Sequence, residues 1–359
     1  MNSKILIVIN SLSTGGAERQ VVTDANILSL NGNDVTVAFH QDGVLKQDLA
    51  KEIKTYKIIS NNEIVALFQL IFYFKKCRFD EVFGHMFWAH KVVAFPCWLT
   101  GHKYVFFEHG LGLGRKWYHL LLLRLLDKSA AKIATVSEAK KTIKINREKT
   151  PAQKIVVIHN CFSQEKTLLG KGYSSIPELT KSEVGKILFM GRFNKVKQLD
   201  LLIAAAGLMV QQRGDFHFTL CGNGPDFAHI SALIKDSNLE KYFSLPGYVD
   251  KPYAYLLQGD IFVLPSRVED FSVALLEAGY AGLPALAFDV GGNREIIVDG
   301  ATGFIIKPYD VKCFADKLLL LINNRELCRQ MGHNGKERVM GNFSEKNRLA
   351  DLSSLIASL

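Results

Sequence analysis

The sequence predicts an α/β fold built as two doubly wound domains, and three observations carry that prediction. Short apolar runs alternate along the chain with longer segments whose apolar residues recur at helical spacing. The alternation comes in two blocks, and between them residues 161–185 lose all periodicity and collect Gly, Ser and Pro, as a linker does. At 359 residues the chain is also too long for one ordinary core. Strand alternating with helix is the pattern of a mostly parallel sheet covered on both faces, and ligands of such sheets collect at the carboxyl ends of the strands. The expected domains are 1–165 and 185–341.

In the first block, Lys4–Asn10 is an apolar strand, followed by Ser11-Leu12-Ser13-Thr14-Gly15-Gly16-Ala17-Glu18-Arg19 and a helix to about Leu30. A glycine pair after a first strand admits close approach of another molecule at a helix start, or simply makes a tight turn. It is not G-x-G-x-x-G, so the dinucleotide fingerprint is not met. After the Asn31-Gly32 turn, Asp34–His40 is a second strand. Helix-like spacing over Ile64–Cys77 precedes a strand at Asp80–His85, and Trp88–Leu99 reads as another helix. Lys103–Glu108 is a strand that ends in Glu108-His109-Gly110. A histidine there faces the ligand edge of the sheet, where it either donates to a sugar hydroxyl or phosphate or caps the loop. His85 occupies a similar strand end.

Residues 114–128, G-R-K-W-Y-H-L-L-L-L-R-L-L-D-K, carry leucines around more than one helical face, flanked by Arg115, Lys116, Arg124 and Lys128 with Trp117 and Tyr118. Two readings stand: a cationic amphipathic helix lying on a membrane surface, or a core helix with charged ends. Lys132–Val136 and Lys154–Asn160 are strands. Between them Ser137–Glu148, with Lys140, Lys141, Lys144 and Arg147, reads as a basic helix with a solvated face.

The second block opens with a strand at Lys186–Gly191, followed by Arg192, Phe193 and Lys197. An arginine offers a two-pronged fork to phosphate oxygens and a lysine a point charge. Phe216–Cys221 is a strand ending in the glycine turn Gly222-Asn223-Gly224-Pro225. Tyr242–Leu245 leads to Gly247-Tyr248-Val249. Asp260–Pro265 is a strand stopped by proline, and a short loop takes the chain to a helix over Ser272–Tyr280, ended by Gly282 and Pro284. A helix start after a strand presents unpaired backbone N–H groups and the positive end of a dipole, which suits a phosphate. Glu269 lies in that loop and Glu277 about two turns into the helix, so both carboxylates can face a ligand held there. Ala285–Phe288 then runs into Gly291-Gly292-Asn293-Arg294-Glu295. Thr302-Gly303-Phe304 closes the sheet pattern, with helices from Asp310 to the end.

The stretch around the two glutamates resembles the large retaining glycosyltransferase family usually numbered four. Pro265, Ser266, Glu269, Phe271, Glu277 and Ala278 match P-S-x-x-E-x-F-x-x-x-x-x-E-A in register. Gly191, Arg192 and Lys197 match its G-R-x-x-x-x-K, residues 291–295 its G-G-x-x-E turn, and Glu108-His109 its E-H pair. Two positions depart: Asp270 and Gln198 stand where the family commonly has glycine. The resemblance implies the GT-B fold, two Rossmann-like domains facing a cleft, with the final helix 344–359 crossing back to the first. It implies that the second domain holds a nucleotide-sugar donor. Arg192, Lys197 and the amides of Phe271 and Ser272 would meet the diphosphate, Glu277 the ribose, and Glu269 the transferred sugar. Gly222 and Val249 would lie along the nucleotide, Gly16 would line the cleft near the donor phosphates, and His109, at the cleft on the first domain, would be catalytic together with Glu269. Retention of anomeric configuration is likewise implied, with the leaving diphosphate helping to take the acceptor proton.

Charge is unevenly placed. Residues 1–161 hold 22 Lys and Arg against 13 Asp and Glu, and residues 162–359 hold 22 against 22, so the whole +9 belongs to the first half. A basic half serves nucleic acid, an anionic membrane or an anionic substrate. No nucleic-acid motif occurs, which leaves an anionic inner-membrane surface and a pyrophosphate. The six cysteines are scattered without metal spacing and read as reduced core residues of a cytoplasmic protein. No leader pattern and no spanning segment is read, so a membrane role would be peripheral. No D-x-D triplet occurs, so no metal and no cofactor beyond the nucleotide sugar, UDP-linked by analogy, is expected. By the same analogy the acceptor is a lipid-linked saccharide in surface-polysaccharide assembly of the O-antigen or capsule type. A nucleotide-sugar epimerase of the same fold, or a non-catalytic relative, are the rival readings.

Overall fold

The structure is a computed structural model that describes residues 3–60, 62–112, 114–163, 185–249 and 251–359. Most of the expected linker therefore lies outside the described residues. The chain forms two compact units, one of residues 1–161 with 345–359, the other of residues 162–344.

The first unit is a parallel seven-stranded sheet. Its strands are β1 (Lys4–Ser11), β2 (Asp34–Gln41), β3 (Lys54–Lys57), β4 (Glu81–His85), β5 (Tyr104–Glu108), β6 (Lys132–Thr135) and β7 (Ile155–Val157). They lie in the order β3-β2-β1-β4-β5-β6-β7, so the order reverses between β1 and β4. The register sets Val8 beside Ala38 on one side and Gly84 on the other. Strands such as β5 (YVFFE) are buried on both faces because helices cover both. One face carries α1 (Gly16–Leu30) and the other α2 (Glu63–Lys76), α3 (Met86–Thr100) and α4 (Trp117–Ser129). Local chemistry fixes the ends. Asn62 caps α2 by accepting from the Ile64 amide, and Gly101, at φ 74°, ends α3.

A terminal helix, Glu345–Ala357, packs on α1 through Arg348. Its guanidinium is buried, grips Asp24 at 2.9 and 2.7 Å, and donates to the carbonyls of Ile158 and His159 at 2.8 Å each. A buried guanidinium persists only where its donors are met in this way.

One expectation is corrected here. The helix α5 (Glu138–Asn146) does not offer a solvated basic face, because Lys140 and Lys144 are fully buried. Lys140 meets Glu148 at 2.8 Å. Lys144 meets Asp127 at 2.7 Å and Glu148 at 2.9 Å. Asp127 also accepts from Thr150 at 2.5 Å and contacts His90 at 3.1 Å. Asp127 and Glu108 come from other elements, and Glu148, at the end of the expected helix, lies just past α5; nothing in that stretch tells that these carboxylates are buried. Lys141, on the outward side, is the solvated one of the three lysines.

The second unit has a parallel six-stranded sheet of β8 (Gly185–Met190), β9 (Phe216–Cys221), β10 (Phe243–Gly247), β11 (Ile261–Leu264), β12 (Ala285–Phe288) and β13 (Gly303–Ile306). Its order, β10-β9-β8-β11-β12-β13, reverses between β8 and β11. The helices α6 (Leu199–Val210), α7 (Phe227–Asp236), α8 (Pro252–Leu256), α9 (Val273–Tyr280), α10 (Asn293–Ile296), α11 (Val311–Asn323) and α12 (Arg325–Asn342) connect and cover it.

Candidate active site

In the second unit the strand-end loops are tied to one another. The Gly191 amide donates to the Cys221 carbonyl at 3.1 Å, Phe193 to Asn223 at 3.0 Å, and Gly222 to Gly247 at 2.8 Å. Arg267 donates to Val196 at 2.8 Å, and Gly292 to Asp270 at 2.8 Å. The loops after β8, β9, β10, β11 and β12 thus form one connected rim. Glycine is required within it. Gly222 has φ 140°, and a Cβ there would stand 1.8 Å from the Gly191 carbonyl oxygen. Gly224, at φ 157°, would put a Cβ 2.2 Å from the Phe193 carbonyl oxygen.

On this rim the Lys197 ammonium meets the Glu269 carboxylate at 2.5 Å. Lys197 follows β8 and Glu269 follows β11, the two strands on either side of the reversal, where doubly wound sheets bind their ligands. The pair is largely shielded, with 20% and 12% of the side chains exposed. The Asn194 side chain accepts from the amides of Val196 and Lys197 and shapes the turn that carries the lysine. Arg192, in the same loop as Lys197, is exposed and makes no ion pair among the described residues. Phe271 and Ser272 are buried at the start of α9, where the Ser272 side chain does not cap the helix. Glu277 lies half-buried on α9, and Val249 half-buried beyond β10.

The two departures from the glycine pattern have different physical outcomes. Asp270 does not have a positive φ, so a side chain fits its backbone. Gln198, at φ 47° and ψ 47°, holds the left-handed conformation that glycine adopts freely, and its buried Oε1 has no partner among the described residues.

In the first unit, His85 ends β4, at the reversal, and His109 follows the adjacent β5. Their rings meet at 2.8 Å, His85 Nδ1 to His109 Nε2, and His85 stacks on Phe107. Burial, then Arg348, brings the His109 pKa down to about 4. Burial, then His109 and Arg348, holds His85 well below the usual histidine range. Both rings are therefore neutral at pH 7. His109 Nδ1 is buried and has no partner among the described residues. His85 carried less weight in the sequence because no motif marks it; only the strand order puts it at the reversal. Gly16 begins α1 beside β1, the other strand of that reversal, but neither it nor Gly15 has a positive φ. The space at Gly15 is filled by the Glu18 carboxylate, which accepts from Ser11 and Ser13 at 3.3 Å each.

Arg115 is a second correction to the picture of a cationic membrane helix. It precedes α4 and turns inward, bonding Glu108 at 2.8 and 3.1 Å and Glu148 at 3.1 Å. Arg124 likewise donates to backbone carbonyls of Glu148 and Arg147. Burial would raise Glu108, but Lys140, Arg115 and Lys144 together hold it at about 2. Lys116 and Lys128 remain exposed.

Two family descriptions match the chain, Glycosyltransferase Family 4 over residues 14–166 and Glycosyl transferases group 1 over residues 175–338. An N-acetyl-α-D-glucosaminyl L-malate synthase from Bacillus anthracis is 30% identical over 220 residues, 61% of this chain and 56% of that protein. A 2-deoxystreptamine N-acetyl-D-glucosaminyltransferase from Niallia circulans is 27% identical over 214 residues, 58% of this chain and 55% of that protein. The matches thus span about half the length of these relatives. The crystal structure of Anabaena HepE in complex with UDP and glucose shares the fold, with a TM-score of 0.84 at 18% identity and 100% of both chains covered. Matched by both descriptions and folded as two Rossmann-like units of the GT-B class, the chain belongs to glycosyltransferase family four.

Proposed function

We propose that the chain moves an N-acetylhexosamine or a hexose from a UDP-sugar to a polyprenyl-diphosphate-linked saccharide, with retention and without a metal ion. The product would be a precursor of a surface polysaccharide of the O-antigen or capsule type, made on the cytoplasmic face of the inner membrane. The observation that carries this reading is the Lys197–Glu269 pair at 2.5 Å, set where the sheet order reverses and beside the open first turn of α9. Relatives named for N-acetylglucosaminyl transfer, and a like-folded structure holding UDP, support the choice of donor.

In this reading the donor diphosphate takes Lys197 from Glu269 and gains Arg192 and the amides of Phe271 and Ser272. Two cations and a helix start neutralise the leaving group as the bond from the anomeric carbon breaks. Glu269 is then free beside the transferred sugar. Glu277 holds the ribose hydroxyls, and Gly222 and Val249 border the nucleotide. The acceptor oxygen bonds to the same face of the sugar while its proton passes to the leaving diphosphate. In the first unit, neutral His109 donates to a hydroxyl, aided by its bond to His85.

The test is transfer from UDP-N-acetylglucosamine and UDP-glucose to a polyprenyl-diphosphate saccharide, with UDP release measured and the product anomer read by NMR. The proposal expects an α-linked product in EDTA. Activity lost in EDTA and restored by magnesium removes the metal-free reading. Epimerised UDP-sugar formed without acceptor supports the epimerase reading instead.

A further inference from the structure

The outer surface of α2, α3 and α4 has a property that the donor site does not explain. These three helices form one layer over the same face of the first sheet, α2 against α3 and α3 against α4. Their inward residues, among them Leu70, Phe74, Val93, Cys97 and Leu123, fill the core beneath. Each helix also has an apolar stripe pointing away from the sheet. On α2 it is Phe68 and Phe72, four residues apart; on α3, Phe95 and Trp98; on α4, Leu121 and Leu125. Phe72 and Trp98 are each 70% exposed, and Phe95 and Trp98 lie 5.6 Å apart. Isolated exposed apolar residues are ordinary, but stripes on three adjacent helices of one layer concentrate apolar surface on one side of the unit, and such concentrations mark contact surfaces.

The charges around the patch identify what it meets. Lys75, Lys76, Lys91 and Lys128 stand on these helices. Only two acidic residues do: Asp127 is buried, and Glu63 pairs with Lys91. The unit as a whole holds the entire +9 excess of the chain. Aromatic and leucine side chains ringed by lysine suit the boundary between lipid headgroups and acyl chains, where aromatics insert and ammonium groups meet anionic phosphates. Among the described residues no helix is long and apolar enough to cross a membrane.

We infer that the α2–α3–α4 layer is a docking surface for an anionic lipid bilayer, held by inserted side chains of all three helices and only steered by charge. The inference deepens the lipid-linked acceptor reading and rests on it.

Flotation with phosphatidylcholine vesicles, with and without phosphatidylglycerol, tests it. Wild-type protein should float with the anionic vesicles and retain part of that binding at high salt. The triple variant Phe72→Ser, Trp98→Ser, Leu125→Ser should lose vesicle affinity by about tenfold or more at every salt concentration. The variant Lys75→Gln, Lys76→Gln, Lys128→Gln should lose affinity mainly at low salt. UDP binding and the unfolding transition, measured on the same samples, report that each variant is folded. Unchanged flotation of the triple apolar variant overturns the inference, as does wild-type protein that ignores vesicles yet binds UDP. A wild-type dimer that the apolar variant turns into monomers also overturns it and assigns the face to a second copy. Vesicle binding without UDP binding keeps the docking surface and rejects the donor reading.

Discussion

The two units reverse their strand order at equivalent places and furnish those places with opposite chemistry. In the second unit the reversal holds an ammonium and a carboxylate, with Arg192 in the same loop as the lysine. In the first it holds two imidazoles kept neutral by burial and by Arg348. A charged rim suits a diphosphate, and a neutral one suits a sugar hydroxyl that must be oriented without being bound as an ion. The units also put their buried charge in different places. The first hides Lys140, Lys144, Arg115, Glu108, Glu148 and Asp127 as struts between α4, α5 and the end of β5. The second keeps its cation–carboxylate pair at the site. The same interaction thus braces helices in one unit and lies at the candidate site in the other.

The comparison breaks most visibly at the scaffold. Lys144→Ala leaves Asp127 and Glu148 buried without their shared cation and should destabilise the first unit by about 3–5 kcal/mol, the usual result of removing one partner of a buried pair. Lys141→Ala, one turn away and solvated, should stay within about 0.5 kcal/mol. Urea unfolding checks both. The same cluster sets an acid limit. Burial would raise Asp127, but the hydrogen bond from His90 and the charge of Lys144 hold it at about 2, as Glu108 is held. Both carboxyls lie below their unfolded values, so their contribution is complete above about pH 4.5 and fades as pH falls toward 2. Urea midpoints that stay flat from pH 5 to pH 2.5 would contradict the strut role.

A smaller effect is expected at the rim of the second unit. Gly222→Ala adds a Cβ 1.8 Å from the Gly191 carbonyl oxygen at a positive φ and should cost about 2–3 kcal/mol, with loss of nucleotide binding. Smaller still, and opposite in sign, is Gln198→Gly. It releases a left-handed side chain and should raise stability by about 1 kcal/mol, read as a shifted urea midpoint with the slope unchanged.

Much of the second unit was legible in the sequence because its site is local. Arg192 and Lys197 share one loop, Glu269 and Glu277 one loop and helix, and the glycines declare their own turns. The first unit was less legible because its chemistry is assembled across long separations. Arg348 meets Asp24 across most of the chain, and Lys144 meets Asp127 from another helix. Arg115 and Lys140 read as surface cations since nothing in their neighbourhood reveals a buried carboxylate. The outward apolar stripes of α2 and α3 were not legible because spacing alone does not tell an inward stripe from an outward one; that difference appears only once the sheet defines an inside.

The central claim is that the rim around Lys197 binds the donor diphosphate, and calorimetric titration of UDP tests it most directly. Wild-type protein should bind UDP, and Arg192→Ala and Lys197→Ala should each weaken binding by about 1.5–3 kcal/mol, the scale for hydrogen bonds to charged groups. Glu269→Gln, which frees Lys197 from its carboxylate, should not weaken it. Equal UDP affinity in wild type, Arg192→Ala and Lys197→Ala would contradict the account and remove the diphosphate from this rim.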